Sequence, residues 1–193
     1  TLLKTISSRF FSQDDFHLAD DEIQKQVLKK IETGNEIEVI NIMQMLNTQL
    51  SDESRHLIFK LLDHPLDQVK IETIRLIKNR RMKGAEDKLY QLANNSGNEE
   101  VRFHAVQTLC KEEHEHFYQK HFMHHDETMI RIAALSGMLM CHQLKIRNQA
   151  EEIISHMIQS KSQDDKKLAL EILEQVKDQY CHPLLPDLFN ESE

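Results

Sequence analysis

The stretch "VRFHAVQTL" (101–109) decides the fold, because two other stretches of the chain repeat its pattern. "VKIETIRLI" (69–77) begins 32 residues before it, and "IRIAALSGM" (130–138) begins 29 residues after it. All three follow one template: an apolar residue, a basic residue, two variable positions, a small residue or Thr, an apolar residue, two variable positions and an apolar residue. Apolar positions with this spacing lie on one face of a helix, so the template predicts an amphipathic α-helix.

Two looser copies extend the repeat. "IEVINIMQM" (37–45) has Glu38 and Asn41 at the basic and small positions, and "DKKLALEIL" (165–173) has Asp165 in place of the apolar opener. Another apolar-periodic segment precedes each copy. One amphipathic helix pair cannot bury its apolar face alone, so this period predicts stacked helix pairs. The chain has 4 Gly and 3 Pro in 193 residues, which agrees with an all-α fold.

The second helix of each predicted pair resembles that of HEAT repeats, in the armadillo-like family. The resemblance rests on "VK" (69–70), "VR" (101–102) and "IR" (130–131), each followed by a small residue or Thr. It implies a right-handed α-α superhelix, a HEAT-like solenoid, of about five helix pairs.

The resemblance covers residues 20–178, which we expect to form the repeat domain. Residues 1–19 are expected to be an N-terminal linker or capping helix, and residues 179–193 a C-terminal cap and acidic tail. Since the sequence opens at Thr1 without Met and stops in "NESE", we expect it to be a piece of a larger protein.

A second resemblance concerns the opening of the chain, from "LKTISSRFFSQDDF" (3–16) to "LLDHPLDQVKIETIRLI" (61–77). It resembles the soluble HEAT-like region of large bacterial membrane proteins. In those proteins a nucleotide-carrier-like transport domain precedes the repeats, and a cyclic-nucleotide-binding-like module can follow them. The resemblance implies an alternative function as the cytosolic regulatory or coupling region of such a transporter, with residues 1–11 as the exit from its membrane domain.

The composition narrows the class of partner and the compartment. A net charge of -8 opposes broad attachment to nucleic acid or to an anionic membrane surface, and it suits a basic ligand or protein partner better. The sequence has no run of about 18 apolar residues, so we expect no membrane span in this segment. Cys110, Cys141 and Cys181 are few and widely spaced, which fits a reducing compartment. We therefore expect a cytoplasmic location, which for the transporter alternative is the cytosolic face of the membrane.

The leading hypothesis is a non-catalytic protein-interaction or scaffold module without a cofactor. Its partner would be another protein or other domains of the same longer chain. The template places five polar residues on the exposed face of the second helices, where we expect the partner to bind: Glu72, Arg75, His104, Gln107 and Lys111. A basic turn, defined by Lys78, Arg80, Arg81 and Lys83, is expected to be a solvated helix end, with docking of an acidic group as the alternative.

The segment "KEEHEHFYQKHFMHHDE" (111–127) contains five histidines and raises the alternative of a metal-binding protein. If a metal is bound, the candidate ligands are His121, His124 and His125. The repeat alignment instead separates these residues, because it places His124 and His125 in a turn that matches "HP" (64–65) and "SG" (96–97). We expect Asp126 to cap the next helix, and we expect no metal. The exposed histidines could gain charge at about pH 6 and weaken this turn.

The chain lacks the features of two enzyme classes that are built on HEAT-like repeats. Deoxyhypusine hydroxylases bind a di-iron centre through several His-Glu pairs, whereas only His114-Glu115 matches here. HEAT-like DNA glycosylases act on nucleic acid, whereas this chain is acidic and has no Trp for stacking a base. We therefore expect no enzymatic activity.

Overall fold

The computed structural model describes residues 21–48, 52–111 and 116–178, and every regular element in these ranges is helical. The expected linker at 1–19 and tail at 179–193 lie outside the described residues, as do His114 and Cys181. The elements are α1 (Asp21–Thr33), α2 (Glu36–Thr48), α3 (Asp52–Lys60), a 3₁₀ helix (Leu61–Asp63), α4 (Asp67–Arg80), α5 (Glu86–Asn95), α6 (Glu99–Lys111), α7 (His116–Phe122), α8 (Thr128–Leu139), α9 (Leu144–Gln159) and α10 (Gln163–Glu174).

Each of the five template copies lies inside an even-numbered helix, and an odd-numbered helix precedes it. The prediction of an all-α fold built from alternating first and second helices is therefore confirmed for the described residues. The chain divides into two compact units, residues 1–69 and residues 70–193.

In the first unit, α1 packs against α2 and α2 against α3. The start of α2 explains why Glu38 occupies the basic position of its template copy. Asn35 Oδ1 accepts the Glu38 backbone N–H at 3.0 Å, and Glu38 Oε2 accepts the Asn35 N–H at 3.2 Å. This reciprocal capping satisfies two N–H groups that the first turn of a helix leaves without partners. Glu38 also forms an ion pair with Lys30 at 3.3 Å.

In the second unit, the even-numbered helices pack side by side, α6 along α8 and α8 along α10. The template openers Val101 and Ile130 are buried, and so are the small residues Ala105 and Ala134. Small side chains allow the two helix backbones to approach closely. The basic template residue Arg102 reaches two neighbouring turns, donating to the Ala93 carbonyl at 3.3 Å and to Glu127 at 2.6 Å.

One hydrogen bond recurs in the turns before α4, α6, α8 and α10. In each turn, the acceptor is the side chain of the residue five positions before the template opener. It accepts the backbone N–H of the residue two positions further along the chain. The pairs are Leu66 N–H to His64 Nδ1 (3.1 Å), Asn98 N–H to Ser96 Oγ (3.2 Å), Glu127 N–H to His125 Nδ1 (3.2 Å) and Ser162 N–H to Ser160 Oγ (3.1 Å). The aligned turns are therefore structurally equivalent although their sequences differ.

The predicted cap at Asp126 is wrong. Helix α7 ends at Phe122, and the residue in the N-cap position of α8 is Glu127, whose side chain makes no capping hydrogen bond. The reason is the turn itself, because His125 Nδ1 binds the Glu127 N–H and the helix begins after that residue. At α6, by contrast, Asn98 Oδ1 accepts the N–H groups of Glu100 at 2.9 Å and Val101 at 3.1 Å.

Candidate functional site

An open groove of about 600 Å³ is lined by residues of the second helices within residues 70–193. Phe103 and Ile132, which are buried, and the exposed Met129 form its apolar part. Its polar part consists of Arg75, Glu99, Glu100, His104, Glu171, Glu174 and Gln175. We refer to these ten residues as the groove, and it is the candidate site because it combines an apolar surface with convergent charged groups.

Arg75 stands at the centre of a polar cluster at one end of the groove. Its guanidinium forms ion pairs with Glu72 at 2.6 Å and with Glu100 at 3.4 Å, and its Nη2 lies 3.2 Å from His104 Nε2. The fork of N–H donors on arginine suits several acceptors at once. The structure therefore brings together three of the residues predicted for the exposed face, Glu72, Arg75 and His104.

His104 remains neutral in this cluster. Burial, followed by the nearby cations of Arg75 and Lys78, lowers the pKa of His104 to about 4, against the opposing effect of Glu72. Because an arginine N–H can only donate, His104 Nε2 accepts and the ring proton lies on Nδ1. Within the described residues, the buried Nδ1 atom has no hydrogen-bond partner. Among the residues that line the groove, Arg75 therefore carries the positive charge.

The expected exposure of Gln107 is wrong, since only 3% of the residue is exposed. Its side chain links three successive second helices: it accepts from Lys78 Nζ at 2.7 Å and donates to Ser136 Oγ at 3.0 Å. Ser136 in turn donates to the Ala133 carbonyl at 3.1 Å. The close packing of α6 on α8 covers this position, and the amide is tolerated there because both of its ends are hydrogen-bonded.

The basic turn does not form one cluster. Arg80, Arg81 and Lys83 are exposed, whereas Lys78 is half-buried and points to Gln107. Arg81, the residue after α4, has a φ of 52°, in the left-handed region, and Gly84 has a φ of 97°. Lys111, the fifth residue predicted for the exposed face, is half-buried and lies close enough to lower the pKa of Lys78.

The lowered pKa of Lys78 makes the free energy of unfolding depend on pH. Burial, with the cations of Lys111 and Arg75, lowers its pKa from 10.5 to about 8. Between these two values the unfolded chain binds more protons at this residue than the folded chain does, so stability rises with pH in that window. We expect the free energy of unfolding of wild type, relative to Lys78→Gln, to increase between about pH 7.5 and about pH 10.

Urea unfolding of both proteins at the two pH values measures this difference. Lys83→Gln removes a positive charge from an exposed lysine and is the matched control. An identical pH dependence of the two variants relative to wild type would contradict the burial of the Lys78 ammonium.

The histidines of segment 111–127 that the structure describes occupy different places. His121 is exposed on α7, and its ring centroid lies 5.9 Å from that of Tyr90. His124 is exposed in the turn, and His125 accepts the hydrogen bond that the turn requires. Within residues 21–48, 52–111 and 116–178, no group of three or more His, Cys, Asp or Glu side chains could hold a metal ion.

The two described cysteines, Cys110 and Cys141, are buried free thiols. Burial, and to a lesser degree the neighbouring Cys141, raises the pKa of Cys110. A thiol held in its protonated form is a poor nucleophile. This environment suits a thiol that packs in the core.

Sequence reasoning missed most of the groove. Of the five residues predicted for the exposed face, only Arg75 and His104 line the groove. The lining also includes Glu100 and Phe103 on α6 and Met129 and Ile132 on α8. Positions 100, 103, 104 and 107 share one helical face, with the spacing i, i+3, i+4 and i+7. Extending the exposed face by one turn toward the helix N-termini would have found these residues.

No protein-family model, curated protein or solved structure matches this chain. Among the helices that the structure describes, none combines the length and the apolar character needed to cross a bilayer.

Proposed function

We propose that residues 70–178 act as a HEAT-like protein-interaction module and that the groove is the surface on which a protein partner binds. The observation that carries the proposal is the composition of the groove. Met129 is 45% exposed beside the buried Phe103 and Ile132, and charged residues surround this apolar part. An apolar centre within a polar rim is the usual organisation of a protein-protein contact.

The chemistry of the groove favours binding over catalysis. The polar groups at one end of the groove bind each other. Arg75 forms ion pairs with Glu72 and Glu100, and the neutral His104 accepts a hydrogen bond from Arg75. These hydrogen bonds hold the side chains in place before a partner arrives, which reduces the entropy lost on binding. Met129 supplies a flexible apolar side chain that adapts to a partner surface.

The repeat supports the solenoid part of the proposal. The turn hydrogen bond recurs at His64, Ser96, His125 and Ser160, and the second helices α6, α8 and α10 pack side by side. Side-by-side second helices create the extended surfaces through which solenoids bind partners. The right-handed superhelix of about five helix pairs, and the role of a cytoplasmic scaffold, are parts of this proposal.

Site-specific photo-crosslinking tests the proposal. A benzoylphenylalanine at position 129 is expected to form discrete adducts with a protein partner in the host cell, because this position lies in the groove. The same amino acid at position 152, an exposed site on α9, is the control and is expected to form none of these adducts. Identical adducts from the two positions, or no adduct from position 129, would refute the groove as a protein-binding surface.

A further inference from the structure

We infer that the groove binds a cationic amphipathic segment of its protein partner, with lysine or arginine side chains facing the acidic residues of the groove and apolar side chains facing Met129 and Phe103. This inference rests on the proposed function and names the chemistry of the partner.

The charges of the groove point to a cationic partner. Four glutamates line it, Glu99, Glu100, Glu171 and Glu174, against the single cation of Arg75. The Arg75 guanidinium is already engaged by Glu100 and by Glu72, which lies beside the groove. A partner segment without positive charge would therefore leave the negative charge of the groove unneutralised.

The remaining glutamates are available to new cations. Glu99 acts on Arg102 only weakly through space, since the Arg102 guanidinium is bound by Glu127 at 2.6 Å. Glu171 forms an ion pair with Lys167 at 3.8 Å, and the two side chains are 42% and 76% exposed. Exposed pairs of this kind are weak, so Glu171 can exchange its partner at little cost. These three carboxylates lie on α6 and α10, on the two sides of the apolar residues of α8.

The apolar part of the groove points to an amphipathic protein segment rather than a small polycation. A polyamine would neutralise the glutamates but would leave Met129 in contact with water. Burying the exposed part of Met129 and the accessible edges of Phe103 and Ile132 requires an apolar side chain between the cationic ones. Lysine-rich and leucine-rich faces of one helix present these two chemistries together.

Designed peptides test the inference. The probe is a fluorescent peptide of about 14 residues, roughly four helical turns, with leucines on one face and lysines on the other. Its first comparison peptide carries glutamate in place of every lysine, and its second has the same composition in a scrambled order. Fluorescence anisotropy with residues 1–193 is expected to show binding of the cationic peptide, about tenfold weaker binding of the scrambled peptide and no binding of the anionic one.

Charge reversal locates the contact. The double variant Glu171→Lys with Glu174→Lys is expected to weaken binding of the cationic peptide about tenfold, since two exposed attractions become repulsions. The matched control, Glu151→Lys with Glu152→Lys on α9, changes the net charge equally outside the groove and is expected to change the affinity less than twofold. Circular dichroism of both variants verifies that they are folded. Raising the salt from about 0.05 M to about 0.5 M is expected to weaken binding further.

Three results would overturn the inference. Equal binding of the cationic and anionic peptides would remove the requirement for a basic partner. An equal loss of affinity in the two double variants would show attraction to the whole acidic chain rather than to the groove. Self-association in sedimentation experiments that the Glu171→Lys, Glu174→Lys variant abolishes would identify a second copy, through its Arg80, Arg81 and Lys83 turn, as the occupant. The proposed function survives these results if position 129 still forms adducts with a protein partner, and it fails separately if that adduct is absent.

Discussion

Replacing Phe122 with alanine is expected to lower the free energy of unfolding of the second unit by about 3–5 kcal/mol. Phe122 is only 1% exposed, and its ring lies 6.1 Å from that of Tyr90 on α5, within the distance range of favourable aromatic pairs. The substitution removes the buried area and leaves a cavity that close-packed helices fill only in part. Urea unfolding followed by far-ultraviolet circular dichroism measures the loss.

Two variants of the same short helix separate packing from helix formation. Lys120→Ala alters an exposed residue of α7 and is expected to change stability by less than about 0.5 kcal/mol. Phe122→Leu keeps most of the apolar volume and is expected to recover most of the loss. Equal stabilities of Phe122→Ala and Lys120→Ala would mean that Phe122 is not packed in the core.

The location of the helices could be predicted from the sequence because their packing is periodic. The openers Val69, Val101 and Ile130 are all nearly inaccessible, as the template requires. Short polar segments between the copies coincide with the observed turns, since backbone groups at helix ends need polar partners. Periodicity and hydrogen bonding at helix ends both depend on neighbouring residues, so this part of the fold could be predicted from a single sequence.

The environment of individual polar residues was harder to predict from the sequence. Gln107 and Arg75 occupy equivalent template positions, yet Gln107 is buried and Arg75 is partly exposed. The difference arises from α8, which packs closely on α6 and covers Gln107. Lys78 turns away from its basic neighbours because Gln107 provides an acceptor on the next helix. Such outcomes depend on pairs of residues 29 positions apart, which periodicity alone does not identify.

In the groove, too, some features could be predicted from neighbouring residues and others depend on distant ones. The acidic residues Glu99 and Glu100 follow the cap of α6, where negative charge near the helix N-terminus is expected. Their contribution to a site depends on α10, which brings Glu171 and Glu174 to the opposite side. The sequence indicated an acidic chain that suits a basic partner, and the structure concentrates that acidity beside an apolar surface.

Gly137→Ala is expected to destabilise the second unit by about 2 kcal/mol although alanine favours helices. A Cβ at position 137 would lie 2.5 Å from the backbone carbonyl oxygen of Gln107 and 3.0 Å from Cys110 Cβ. The carbonyl cannot move without the rest of α6, so α6 and α8 must separate, at a cost near the upper end of about 1–3 kcal/mol for overpacking. The gain in helix propensity of about 1 kcal/mol offsets only part of this cost.

The control is Gly97→Ala, in the turn before α6. A Cβ at position 97 would meet no atom within 4 Å. This substitution is therefore expected to be neutral or to stabilise by about 0.4–1 kcal/mol, because it restricts the unfolded chain. Urea unfolding of the two variants measures both effects against wild type. Since Gly137 lies one residue after Ser136, which binds Gln107, separation of the helices also stretches that hydrogen bond. Equal stabilities of the two variants would mean that α6 and α8 do not approach each other this closely, and the covered position of Gln107 would then lose its explanation.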